Sequence, residues 1–135
     1  MRYLIDKSAW ARAANSDVGE RLSALSEAGR LVSCAITNLE ILYSARSRSD
    51  YEALLDELQG LGEIPIGPIE TSRALHVQGE LARSGHHRVP IPDLLIAAAA
   101  ESASATILHY DADFERIAAV TSQPHTWIAA RGSIS

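Results

Sequence analysis

Two hydrophobic rhythms alternate along this chain. Unbroken apolar stretches fall at Tyr3-Leu4-Ile5, within Arg30 to Ile36 and within Ala105 to Tyr110, the look of strands buried on both faces. Between them apolar residues recur at helical spacing: Val18, Leu22 and Leu25; then Tyr51, Leu54, Leu55, Leu58 and Leu61; then Ala74, Val77 and Leu81. Local signals predict the boundaries. Ser8 is placed to cap a helix in which Trp10, Ala13 and Ala14 share a face, and Gly29 to stop the next. Thr37-Asn38-Leu39-Glu40 fits a capping box ahead of Ile41, Leu42 and Ala45. Gly60, Gly62, Pro65, Gly67 and Pro68 leave room only for a short strand near Ile64 and Ile66. A helix is expected over Glu70 to Ser84, another from Phe114 through Ile117, Ala118 and Thr121, and a last strand over Thr126 to Ala129.

One stretch breaks the pattern of polar positions outside and apolar positions inside. In Val89 to Glu101, Pro90 and Pro92 bias Val89 and Ile91 towards extended backbone, and Pro92 suits a first helical turn. Asp93 then stands at the head of a helix whose continuation, Leu94-Leu95-Ile96 and four alanines, is apolar on nearly every face. Such a helix is packed inside a domain and is too short to cross a membrane. Asp93 is either a first-turn acid serving the helix dipole or a ligand held in the interior.

Strands alternating with helices predict an α/β fold, a three-layer α/β/α arrangement around a central parallel sheet. Ligands in such folds bind beyond the carboxyl ends of the strands. Asp6 and Asp111 follow apolar strands at that edge, and Glu40 and Asp93 are expected in first turns of helices that point back to it. An acidic cleft at the strand C-terminal edge is the consequence.

Composition narrows the class. With 135 residues, 47% of them hydrophobic and 21% charged, the chain can bury a core, and one domain over 1–135 is expected. Nothing reads as a signal peptide or a bilayer span, so the cytoplasm is the expected location. The lone Cys34 has no internal disulfide partner and reads as a buried thiol. A net charge of −5 argues against holding nucleic acid by bulk electrostatics. The distribution is uneven, however: Asp50, Glu52, Asp56, Glu57 and Glu63 share one segment without lysine or arginine, whereas Arg73, Arg83, Arg88 and Arg116 lie elsewhere. A local basic rim is compatible with that arrangement.

Several carboxylates in one cleft repel one another unless protonated or neutralised. A divalent cation resolves the repulsion, and all-oxygen ligation suits Mg2+, with Mn2+ as a substitute, while excluding structural zinc. Carboxylate-held Mg2+ is also a common means of hydrolysing phosphodiesters. The order of Asp6 in L-I-D-K-S, Glu40 in T-N-L-E-I, Asp93 in I-P-D-L-L-I-A-A, and Asp111 and Asp113 in H-Y-D-A-D-F-E-R-I resembles the PIN domain, especially the VapC toxins of bacterial toxin–antitoxin pairs. The resemblance runs from Tyr3 to about Ala130.

It implies a compact nuclease fold, metal-dependent RNA cleavage, homodimers and a small antitoxin of the VapB type. By the same resemblance Asp6, Glu40, Asp93 and Asp111 form an acidic quartet that binds metal and is catalytic, Asp113 is an auxiliary ligand, and Ser8 is a supporting hydroxyl. The expected dimer contact lies around Tyr51 to Leu61 and Glu70 to Ser84. The chain departs from many relatives at His109, where a small or aliphatic residue is usual.

Each residue also has an ordinary structural reading. Glu40 is the far half of a capping box, Asp113 a helix cap or a partner for Arg116, and Ser8 a plain N-cap. His86 and His87 read as an exposed loop near RNA, and His109 as a hydrogen-bonded interior histidine. A different class of function, a non-catalytic module holding RNA or protein in the acidic pocket, is the alternative to the nuclease. A receiver-like aspartyl phosphate protein fits less well, because no D-x-D begins at Asp6 and no lysine follows the last strand.

Overall fold

The strand β1 (Tyr3–Ile5) runs through the middle of the protein, with Leu4 and Ile5 wholly buried on its opposite faces. The computed structural model describes residues 1–135. Around β1 lie β2 (Leu31–Cys34), β3 (Gly62–Ile64), β4 (Thr106–His109) and β5 (His125–Trp127), in the order β3-β2-β1-β4-β5 with every pairing parallel. The chain fills one edge first, then returns to set β4 beside β1. That reversal creates the crevice in which open parallel sheets bind ligands, and the residues leaving β1 and β4 border it.

Helices cover both faces: α1 (Lys7–Trp10), α2 (Ser16–Glu27), α3 (Ala35–Tyr43), α4 (Arg48–Gln59), α5 (Pro68–Ala82), α6 (Ile91–Ser102) and α7 (Asp113–Thr121). Leu4, Val32 and Ile107 face one core with Val77 and Leu81 of α5, Ile96 and the alanines of α6, and Phe114 and Ile117 of α7. Ile5, Leu31 and Leu108 face the other, with Ala9 of α1 and Val18 and Leu22 of α2. A third cluster, Ile41, Leu42 and Leu58, joins α3 to α4 beside Trp10. The alanine run is explained by position: Ala97 to Ala100 are all buried inside the first core.

Several boundaries differ from the sequence expectation. β2 ends at Cys34 and α3 begins at Ala35, so Thr37 is already inside the helix and no capping box forms with Glu40. Thr37 is wholly buried with its hydroxyl 3.5 Å from Cys34 Sγ. Glu40 therefore sits in the second turn of α3, not the first. Ser8 lies within α1, whose N-cap is Asp6, and the four-residue α1 is separate from α2, which Asn15 caps through Asp17 and Val18 N–H. The helix expected over Glu70 to Ser84 starts at Pro68, where the Glu70 carboxylate accepts the Gly67 N–H at 2.7 Å. The last strand is Trp127-terminated, beginning at His125.

Candidate metal centre

Asp6 leaves the C-terminal end of β1 almost completely buried. Its Oδ2 accepts the Ser8 N–H at 3.0 Å and the Ser8 hydroxyl, which in turn accepts the Tyr110 N–H at 2.9 Å. One hydroxyl thus joins the exits of β1 and β4. Oδ1 of Asp6 is buried with no partner.

Glu40 projects from α3 and pairs through Oε2 with Lys7 Nζ at 3.2 Å, leaving Oε1 buried and unpartnered. The pair holds the Lys7 ammonium above its ordinary pKa, through the hydrogen bond and charge of Glu40. Asp93, the third residue of α6, is 4% exposed and makes no capping hydrogen bond. Its Oδ2 is the third buried carboxylate oxygen without a partner. Asp93 thus keeps its place as a first-turn acid of α6 without making a cap hydrogen bond.

Beyond β4, Asp111 Oδ1 accepts the N–H of Asp113 at 2.9 Å, and Asp113 opens α7 and pairs with Arg116 at 2.7 Å. Carboxylate oxygens of Asp93, Asp111 and Asp113 lie within 4.8 Å of one another. Burial, then the charges of Asp6, Asp111, Asp113 and Glu40, pushes the Asp93 carboxyl up to about 8. Burial also raises Asp6 above the ordinary carboxylate range, assisted by Glu40 and Asp111 and opposed by the two Ser8 hydrogen bonds.

All five sequence-selected acids therefore act on one electrostatic site, though three form its tight cluster. Their chemistry fits a hard divalent cation: every donor is oxygen, and buried oxygens on Asp6, Glu40 and Asp93 have no protein donor to satisfy them. A cation would reverse the local logic, favouring the ionised carboxylates that burial now disfavours.

His109 is not part of that cluster. It is wholly buried between Phe114, His125 and Trp127. Its Nδ1 accepts the Asp111 N–H at 3.1 Å, so its proton lies on Nε2, which faces His125 Nδ1 at 2.8 Å. Burial, with the neighbouring His125, pushes its pKa down to about 3. The interior histidine reading holds, and its acceptor nitrogen anchors the acid-bearing loop. Sequence reasoning missed Lys7 and His125 as supports; a lysine beside the first acid was visible, but its partner required the packing of α1 against α3.

Comparison with known proteins agrees with this architecture. Residues 3–120 match the family model described as PIN domain. Ribonuclease VapC18 of Mycobacterium tuberculosis (strain ATCC 25618 / H37Rv) is 47% identical over 137 residues, spanning 99% of this chain and 100% of the relative. Ribonuclease VapC51 of the same strain is 41% identical, spanning 99% and 98%. Among solved structures, VapBC2 from Rickettsia felis bound to a promoter DNA fragment superposes with a TM-score of 0.78 at 21% identity, covering 94% of this chain and 98% of that one. DNA-bound VapBC from Salmonella typhimurium gives 0.78 at 20% identity, covering 96% and 99%.

Proposed function

This chain belongs to the PIN-domain family, among the VapC ribonucleases, and from that premise we propose that it is a Mg2+-dependent endoribonuclease, the toxin of a VapBC-type pair. The observation that carries the metal-dependent reading is the set of buried, unpartnered oxygens on Asp6, Glu40 and Asp93. Asp93, Asp111 and Asp113 would hold the ion, with Asp6 and Glu40 completing the acidic wall. When bound, Mg2+ or Mn2+ supplies Lewis-acid charge that offsets the anionic transition state and lowers the pKa of water.

The chain's own residues supply the geometry. Ser8 fixes Asp6 through Oδ2 and leaves Oδ1 available, while Lys7 fixes Glu40 through Oε2 and leaves Oε1 available. Asp6, Glu40, Asp93 and Asp111 position the attacking water, and one of these carboxylates takes its proton as the water oxygen bonds to phosphorus and the departing ribose oxygen takes up a proton in turn. His109 keeps the Asp111 backbone in register with that wall.

The partner is a VapB-type antitoxin that places an arginine among these acids, since a guanidinium matches paired carboxylates and replaces the cation's charge. A second copy of the chain is the other partner. Exposed apolar side chains on α3 (Leu39, Tyr43), α5 (Ile69, Leu75) and the start of α6 (Ile91) supply a contact surface. Tyr51 of α4 is also exposed, so the expected contact around α4 and α5 is kept and extended to α3.

The test is RNA cleavage by purified protein. We expect activity with Mg2+ or Mn2+, loss in EDTA and recovery when the metal is restored. Metal-independent cleavage in a contaminant-free preparation would overturn the mechanism, and binding without cleavage would make the chain a binding module instead.

A further inference from the structure

The acids leave one problem unsolved: a cleft lined by carboxylates repels the phosphates that flank the scissile one. Next to it lies a hollow of about 490 Å³ lined by Ser84, His86, Ala112, Glu115, Arg116 and Arg131, with Ala119 and Val120 of α7 completing the lining. That volume falls in the range of ~300–1,000 Å³ typical of small-ligand sites. Ala112 is the residue between Asp111 and Asp113, so the hollow is continuous with the loop that carries two of the acids.

Its chemistry is the opposite of the cleft's. Arg116 is engaged through Nη1 alone, to Asp113 at 2.7 Å, and Arg131 through Nη1 alone, to Glu115 at 2.6 Å. Each guanidinium keeps its Nε and Nη2 donors unspent, in the fork geometry that suits phosphate oxygens. Arg131 is held a second time, with its guanidinium carbon 5.6 Å from the centre of the Trp127 ring. Glu115 is paired with Arg131 and accepts the Trp127 indole N–H at 3.3 Å. Across the hollow, His86 stands exposed after Gly85, whose φ of +77° makes the turn that presents it. Arg83, His87 and Arg88 belong to the same exposed loop, so this flank gathers cations that the chain's net charge of −5 conceals.

We propose that this hollow is an RNA subsite, seating the nucleotide beside the scissile phosphodiester, with Arg116 and Arg131 on its phosphate and the His86 ring against its base. The proposal rests on the ribonuclease reading above. Arg131 and His86 are the residues to change, because neither touches an acid of the cleft and both are exposed.

The experiment measures binding of a fluorescein-labelled single-stranded RNA oligonucleotide with Mg2+, in the Asp93→Asn background so that RNA survives, and steady-state cleavage of the same RNA without that change. Arg131→Gln should weaken binding about tenfold and reduce the salt slope by about one, and His86→Ala should weaken it about threefold. KM should rise by comparable factors. Arg131→Lys, which keeps the charge but loses the fork, should fall between the parent and Arg131→Gln in affinity and keep the parent's salt slope. Unchanged affinity and salt slope in Arg131→Gln, with a parent that cleaves RNA, would overturn the subsite alone. Equal losses in the Lys and Gln variants would also overturn it, since the effect would then come from the Glu115 and Trp127 contacts. A parent that binds RNA but never cuts it removes the ribonuclease reading, and with it the adjacency claimed here.

Discussion

At the third position of α6 an aspartate ordinarily accepts a backbone N–H or faces water near the helix dipole, and Asp93 does neither. The sequence located this acid correctly because two prolines and an apolar run marked the helix start. It left the role open, since capping and ligation predict the same residue type at the same place. Burial and the missing hydrogen bond separate them. In the absence of metal the consequence is a pH effect of definite sign. With the folded-state pKa raised to about 8 from an unfolded value of ~3.9, the folded protein binds a proton that the unfolded chain releases between those limits. Stability therefore falls as pH rises from about 4 to about 8, and the loss is complete above the folded-state value. In EDTA, the thermal midpoint of the parent should be lower at about pH 8 than at about pH 5, and Asp93→Asn should flatten that slope without lowering stability near pH 8. An equally steep slope in the mutant would mean that Asp93 is not the strained group. Asp6, raised in the same direction, leaves a smaller residual slope.

Among the elements, strands and helices were legible from period alone, whereas the turns that aim the acids were not. Apolar periodicity cannot distinguish the last residue of β2 from the first of α3, because Cys34 and Ile36 suit both a buried strand and the inner face of a helix. That ambiguity misplaced Glu40 by a turn of helix, although it still reaches the site through Lys7. In sequence Ser8 reads both as an N-cap and as a supporting hydroxyl, and its hydrogen bonds fit the second: the hydroxyl donates to Asp6 at the end of β1 and accepts from Tyr110 beyond β4. A contact across 102 residues has no local sequence signal. Ser8→Ala should cost about 1–3 kcal/mol in unfolding free energy, because the Tyr110 N–H is left unmet and Asp6 Oδ2 keeps only the backbone N–H of residue 8, and should lower RNA cleavage as Asp6 loses part of its orientation. Denaturant unfolding checks the first part. A mutant as stable and active as the parent would reduce Ser8 to an ordinary first-turn residue.

For the molecule as a whole, the order in which strands are added reverses between β1 and β4, and that reversal brings acids from the first and last thirds of the sequence together. The alternation of elements predicted this convergence; the helix faces left uncovered required the three-dimensional packing. Tyr43 is 92% exposed and Leu39, Ile69, Leu75 and Ile91 are also largely exposed, apolar side chains on α3, α5 and α6 that a second copy would cover. Light scattering should give twice the 14.5 kDa chain mass, and Tyr43→Glu together with Leu39→Glu should return the monomer. A parent that stays at 14.5 kDa over a wide concentration range counts against a dimer. The central claim is that buried carboxylates from separate elements make one divalent-cation site. Calorimetric titration of Mn2+ into EDTA-stripped, desalted parent, Asp6→Asn and Asp93→Asn proteins tests it most directly. The parent should bind Mn2+ and each variant should bind it at least about tenfold more weakly while remaining folded. Equal Mn2+ affinity in all three proteins would contradict the account.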